Sequence, residues 1–179
     1  LKMTLGTLFK PMDILLLVGK RISSSNATPE LADKKGVRAC PLDEPKATDE
    51  INASFLKLLT GGDELCARAL YKGPVYFKPQ LKPFLLCNYT PPINADDEGT
   101  WRRLKVLPFP AKFYFRSDPP RHILVHGLKE NQYWADTSIS EKIKEWKEGF
   151  MCILIKWFKI YSEKGIITPK IVQDQTKEY

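Results

Sequence analysis

The sequence predicts an α/β fold. Three short apolar runs of strand length, Ile14–Val18, Val37–Leu42 and Leu81–Cys87, alternate with segments whose apolar residues recur at helical spacing. Glycine, proline and polar clusters punctuate each change of period. At 179 residues, 43% hydrophobic and 27% charged, the chain has the length and composition of an ordinary globular protein with a substantial core.

Taken in order, Leu1, Leu5, Leu8 and Phe9 follow helical spacing until Pro11 stops it. The pattern is already under way at Leu1, so the chain is expected to be a piece of a longer protein. Ile14–Val18 is then expected as a strand, closed by Gly19 and the polar loop SSSNATPE. Gly19-Lys20 invites a phosphate-loop reading, but that loop needs a glycine where Ile14 stands and Ser or Thr where Arg21 stands. Thr28 and Pro29 open a short helix, and Gly36 releases it into the strand VRACPL. Asp43 and Glu44 follow that strand at once. Carboxylates at the C-terminal end of a buried strand suit a magnesium ligand and a water-activating base in nucleotide-binding sheets; capping the next loop is the plainer use.

Thr48 is expected to cap the next helix, whose buried stripe is Ile51, Phe55, Leu58 and Leu59 and whose end is Gly61-Gly62. LCARALY and VYF flank Lys72-Gly73-Pro74 and read as a hairpin with a basic tip and tyrosine walls, Tyr71 and Tyr76. A basic tip beside aromatics suits a grip on single-stranded nucleic acid, though a solvated lysine is commoner there. Leu81–Cys87 is expected as a buried strand ending at Asn88, after which Arg102 and Arg103 open a further strand, LKVLPF. Prolines and aromatics alternate from Pro108 to Pro120, as in a chain laid across a surface. His122 and His126 lack partners at metal spacing and read as structural or surface residues. Ser138 and Glu141 form an expected capping box for a long packing helix whose apolar face runs from Ile143 through Trp146, Phe150, Ile153, Leu154 and Trp157 to Tyr161, ended by Gly165. The last stretch, TPKIVQDQTKEY, starts another helix.

A net charge of +7 favours contact with a polyanion. The four cysteines form no CxxC pair, and most lie in apolar runs, so reduced core thiols of an intracellular protein are expected. No apolar run approaches the length of a membrane span, and no membrane partner is expected.

The order of these signals is more specific than any one of them. LDEP, LLTGGDELCARALY, FKPQLKPFLLCN, PPI, DEGTWRRLKVLPF and the tail SEKGIITPKIVQDQTKEY together resemble the superfamily 3 helicases, a branch of the AAA+ ATPases, and within them the poxvirus-type helicase-primases of large DNA viruses. The resemblance implies an AAA+-like three-layer core with a mainly parallel sheet over residues 1–120, a protruding hairpin, and a C-terminal helical region over 121–179. It implies Asp43 as the holder of magnesium through water and Glu44 as the polariser of the attacking water, with Asn88 as the sensor orienting that water. Arg103, or less favourably Arg102, matches the arginine finger given to a neighbouring subunit. Lys72 matches the DNA-contacting tip, aided by Arg68 and Tyr71.

The resemblance further implies an ATP- and Mg2+-dependent replicative DNA helicase acting on single-stranded or forked DNA. Its expected assembly is a homo-oligomeric ring, by family expectation a hexamer, working with other replication proteins in the host cytoplasm or nucleus. The family's phosphate loop is missing from these 179 residues, so the chain alone is expected to bind ATP poorly or not at all. Pro41 within the first motif strand implies an edge or bulge there. A phage or plasmid replication protein with the same core, or a non-catalytic DNA-binding or assembly module retaining the fold, are the alternatives.

Overall fold

The computed structural model describes residues 1–19 and 27–179; Lys20, Arg21 and the start of the SSSNATPE loop lie outside the described residues. The chain divides into two compact units, Leu1–Leu104 and Lys105–Tyr179. That division falls earlier in the chain than the boundary read from the sequence at residue 120. The architecture is α/β, with short helices alternating with short strands.

In the first unit, α1 (Lys2–Leu5) runs into a single 3-10 turn over Gly6–Leu8. The stretch expected as a strand is a second 3-10 turn, Ile14–Leu16. Asp13 causes this: its carboxylate accepts the Leu15 amide at 2.8 Å, giving the backbone a local partner in place of a ladder. The extended chain comes just before, where Phe9 bridges Ala39 and Met12 bridges Leu42 in parallel. Ile14, Leu17 and Val18 still reach the core, so the run is buried as its composition demands while its backbone turns.

α2 (Pro29–Ala32) leads through Gly36, at φ 80°, into β1 (Ala39–Leu42). β1 pairs in parallel with β4 (Lys82–Leu85), residue for residue from Ala39↔Lys82 to Leu42↔Leu85, with no bulge at Pro41. On the opposite side of β1, Lys10 donates to Ala39 and Met12 donates to Pro41. Pro41 has no amide hydrogen to return, which breaks that side into isolated bridges. The proline thus acts on the edge facing Phe9–Met12 and spares the pairing with β4.

α3 (Ala53–Thr60) begins later than the sequence implies. Its cap is Asn52, whose side chain accepts the Phe55 amide at 2.9 Å, while Thr48 lies in the preceding turn. Phe55, Leu56 and Leu59 are its buried residues and join Met12, Val37, Cys40 and Leu65 in one core. Leu58 is only partly buried, because Leu56 takes the inward position. β2 (Leu65–Arg68) and β3 (Pro74–Phe77) form the expected antiparallel hairpin, with Leu65, Ala67 and Phe77 turned to the core. Its turn sits earlier than Lys72-Gly73-Pro74: the Lys72 amide donates to the Ala69 carbonyl with Tyr71 at positive φ, and Pro74 already pairs with Arg68. β4 is not the buried strand expected: Leu81 is buried, but Phe84 and Leu86 are exposed. Apolar content alone does not say whether one or both sides of a strand are covered.

After β4 comes α4 (Glu98–Trp101), capped by Asp97. Residues 104–110 form no strand, so Arg102 and Arg103 close this one-turn helix instead of opening a strand.

In the second unit, the proline- and aromatic-rich stretch contains β5 (Lys112–Tyr114), which pairs in parallel with β6 (Gln132–Trp134) across α5 (Arg121–His126). The expected long helix is two, α6 (Ile139–Glu145) and α7 (Lys147–Lys164), parted at Trp146 and stopped at Gly165 with φ 69°. Ser138 does not cap with its side chain; its hydroxyl donates to Asp136 at 2.6 Å, and Glu141 pairs with Lys144. No residue of α7 is buried, and Ile143, Trp146, Ile153, Trp157 and Tyr161 are exposed, so the face read as a packing stripe is uncovered among the described residues. α8 (Lys170–Glu178) buries Val172, and its Thr176 hydroxyl accepts the Val106 amide at 3.0 Å. The cysteines also depart from the expectation: Cys40 is buried, Cys66 half-buried, and Cys87 and Cys152 exposed, all as free thiols. No helix among the described residues is long and apolar enough to cross a membrane.

Candidate functional site

Parallel pairing of β1 with β4 puts the C-terminal ends of both strands on the same side, where ligands gather in α/β sheets. Asp43 and Glu44 leave β1 there, and Asn88 arrives from β4. Asn88 donates to one oxygen of Glu44 twice, from its side-chain amide at 3.0 Å and from its backbone N–H at 3.2 Å. This holds the Glu44 carboxylate in place while its second oxygen takes no part in either bond.

Two further ties fasten the same loops. The Tyr89 hydroxyl donates to the Pro45 carbonyl at 3.0 Å, and the Asn94 amide donates to the Glu50 carboxylate at 3.1 Å. Ile51 adds a backbone bond to Pro92 at 2.9 Å. Tyr89 and Glu50 carry no motif signal; the one available clue to Tyr89 is its place between a strand-ending asparagine and a rigid Thr-Pro-Pro turn. The Asp43 carboxylate is exposed and has no hydrogen-bond or ion-pair partner among the described residues. Partial burial and then the Glu44 carboxylate push the Cys87 thiol above its ordinary pKa, which marks Cys87 as a neighbour of the site.

The arginines are held differently from one another. The Arg103 guanidinium donates back to the Gly99 carbonyl across the α4 turn and is half-buried. Arg102 is exposed, and its guanidinium has no protein partner among the described residues. Asp97 organises this corner: it caps α4 through the Thr100 amide and hydroxyl and receives Lys57 of α3 at 3.1 Å. Lys57 first and Thr100 second hold its carboxyl below the usual range.

At the hairpin, Tyr71 adopts φ 58° and stands fully exposed beside the exposed Lys72. Arg68 anchors the hairpin base through its backbone, exchanging bonds with Thr28: its carbonyl accepts the Thr28 amide at 2.8 Å and its amide donates to the Thr28 hydroxyl at 3.2 Å. No hydrogen bond or ion pair among the described residues joins Arg102, Arg103 or Lys72 to Asp43, Glu44 or Asn88. The structure therefore ties Asn88 to Glu44, with Asp43 next in sequence, and shows no such tie to these cations among the described residues. His122 packs edge-on against Tyr114, with ring centroids 5.8 Å apart. No cluster of three or more metal-ligating residues occurs among the described residues.

Across all 179 residues the chain is 62% identical to a protein of Acanthamoeba polyphaga mimivirus whose name designates it a candidate helicase, covering 19% of that protein. The chain is a homologue of this viral helicase candidate. A second relative, likewise named as a candidate helicase, comes from Frog virus 3 and is 38% identical over 98% of this chain and 18% of its own length. A third, from Invertebrate iridescent virus 6, is 36% identical over 73% of this chain and 14% of its own. The chain thus spans about one fifth or less of the length of these curated relatives. No family model matches it.

Proposed function

We propose that this chain is part of an ATP-driven replicative DNA helicase of a large DNA virus, and that Asp43, Glu44 and Asn88 belong to its hydrolytic centre. The observation that carries the reading is the double hold of Asn88 on Glu44 at the joined ends of β1 and β4. The viral relatives named as candidate helicases support it. In finer terms the reading is a superfamily 3, AAA+-type motor, of the kind found in helicase-primases.

An exposed, unpartnered carboxylate is a hard oxygen donor of the sort magnesium takes, usually while keeping several waters, and Asp43 supplies one. Bound Mg2+-ATP would provide the phosphoryl group and the charge neutralisation that such transfer depends on. Glu44, with one oxygen held by Asn88, would keep the other free to accept a proton from water. Asn88 would fix the direction of that carboxylate and orient the water. An arginine from a neighbouring subunit would stabilise developing charge, an effect worth roughly a thousandfold or more in rate. Arg102 is geometrically the readier of the pair, since Arg103 is engaged within α4. A head-to-tail interface that closes produces a ring, and Lys72 with Tyr71 and Arg68 would meet single-stranded DNA.

The experiment is ATP turnover by the longer protein of which this chain is read as a part. Glu44→Gln should abolish hydrolysis and leave ATP binding intact; unchanged turnover would overturn the role of Glu44. Because no GxxxxGK followed by Ser or Thr occurs in the sequence, the 179 residues alone should not hydrolyse ATP. The competing reading, a DNA-binding or assembly module without catalysis, is favoured if the longer protein also fails to bind ATP.

A further inference from the structure

We propose that the exposed face of the β5–β6 pair is a second contact for single-stranded DNA, one that stacks bases. The register sets Phe113 directly opposite Tyr133 on one face, and Tyr114 opposite Trp134 on the other. The two faces differ in exposure. Phe113 and Tyr133 are 63% and 49% exposed, whereas Tyr114 and Trp134 are half-buried. The exposed rings lie side by side, with centroids 5.7 Å apart and planes inclined by 32°. Phe115, just past the end of β5, is also 57% exposed.

The covered face has its own partners. Arg116 lies over the Trp134 ring at 5.0 Å, and Tyr114 meets His122. Phe113 and Tyr133 stack on each other and on no further ring among the described residues, so their outer surfaces are available. What they offer is chemically narrow: a pair of flat π-faces on the β5–β6 ladder, within a segment whose exposed charge is mainly basic. Residues 105–134 carry five exposed basic side chains against two acids. Flat rings among cations match a strand of bases on a phosphate backbone: every base has a face to stack, and the cations meet the phosphates.

The choice of DNA rests on the proposed function, and the test separates the two. Affinity of the 179-residue chain is measured by fluorescence anisotropy for labelled oligo(dT) and for an abasic oligonucleotide of equal length. Oligo(dT) should bind more tightly. Phe113→Ala and Tyr133→Ala should each weaken oligo(dT) binding roughly tenfold and leave the abasic strand unaffected. Tyr133→Phe, which keeps the ring, should retain the affinity. Lys72→Ala should weaken both ligands alike. If the two alanine variants bind oligo(dT) as the unaltered chain does while Lys72→Ala weakens it, the stacking face is overturned and the motor reading stands. If none of these changes matters, both fall. If the alanine variants leave oligo(dT) binding intact and instead abolish self-association in sedimentation, the face is a protein contact and the inference is overturned.

Discussion

Asn88 and Glu44, forty-four residues apart in sequence, meet through two hydrogen bonds to a single carboxylate oxygen. Asn88→Ala removes the side-chain bond and leaves the backbone one. Because the pair is exposed, the cost to stability should be modest, about 0.5–1 kcal/mol in a denaturant titration. A far larger loss would mean that the two loops depend on this contact for folding.

Glu44 also acts on the thiol beside it. Partial burial and the Glu44 carboxylate both raise the pKa of Cys87, so thiolate is scarce near neutral pH. Glu44→Gln removes one of the two causes, lowers the thiol pKa and raises the thiolate fraction. Alkylation of Cys87 by iodoacetamide, read out by peptide mass spectrometry, should therefore be faster in Glu44→Gln than in the unaltered chain. An equal rate would separate Cys87 from the site.

Helix α3 provides a test of local folding. Asn52→Ala removes the cap that accepts the Phe55 amide and should cost about 1 kcal/mol of stability. Thr48→Ala should be close to neutral in the same thermal melts, because Thr48 caps nothing. The reverse order would restore the sequence-based start of the helix.

At the head of α6, Asp136 is held at a pKa of about 2, first by Lys142 and then by Ser138. A carboxyl whose folded value lies below its unfolded one, about 3.9, stabilises the fold above the unfolded value and loses that contribution as pH falls through the folded one. Helical circular dichroism should thus decline between about pH 4 and about pH 2, and Asp136→Asn should flatten that part of the profile. An unchanged profile would discount the Asp136–Lys142 pair.

A core truncation gives the contrast in scale. Leu59 is almost wholly buried, and Leu59→Ala should cost about 2–5 kcal/mol through lost transfer energy and the cavity left behind. A cost under about 1 kcal/mol would mean that the surrounding side chains close the gap.

Two β-prone segments around a short break made the β2–β3 hairpin legible, but not its turn, which closes at Ala69–Lys72 through the positive φ of Tyr71 while Pro74 serves as the first residue of β3. The residues just beyond β1 and β4, Asp43-Glu44 and Asn88, were legible as motif positions; that the two strands are direct neighbours was not, since no local pattern encodes pairing between segments distant in sequence. What escaped the sequence was decided by competition or by burial. Asp13 offered Leu15 a local hydrogen bond and turned Ile14–Leu16 out of a strand; Asn52 outcompeted Thr48 as a cap. Asp136 took the Ser138 hydroxyl that a capping box would have used. In α7 the spacing identified a helix correctly but could not show that Trp157 and Tyr161 would remain uncovered. Tyr89 stayed hidden because its bond to Pro45 joins two loops, a relationship no local pattern encodes.

The tied loops make the polypeptide from Pro45 to Cys87 a closed circuit, entered and left at adjoining strand ends. A protease that cuts once at Gly73, on the exposed hairpin turn, would divide the chain covalently without dividing it physically. The amino-terminal piece keeps β1 and the carboxy-terminal piece keeps β4, and their ladder, with the Glu44–Asn88 and Pro45–Tyr89 links, lies away from the cut. The nicked protein should therefore travel as one particle until denatured, and two separately produced halves are a rational starting point for reconstitution.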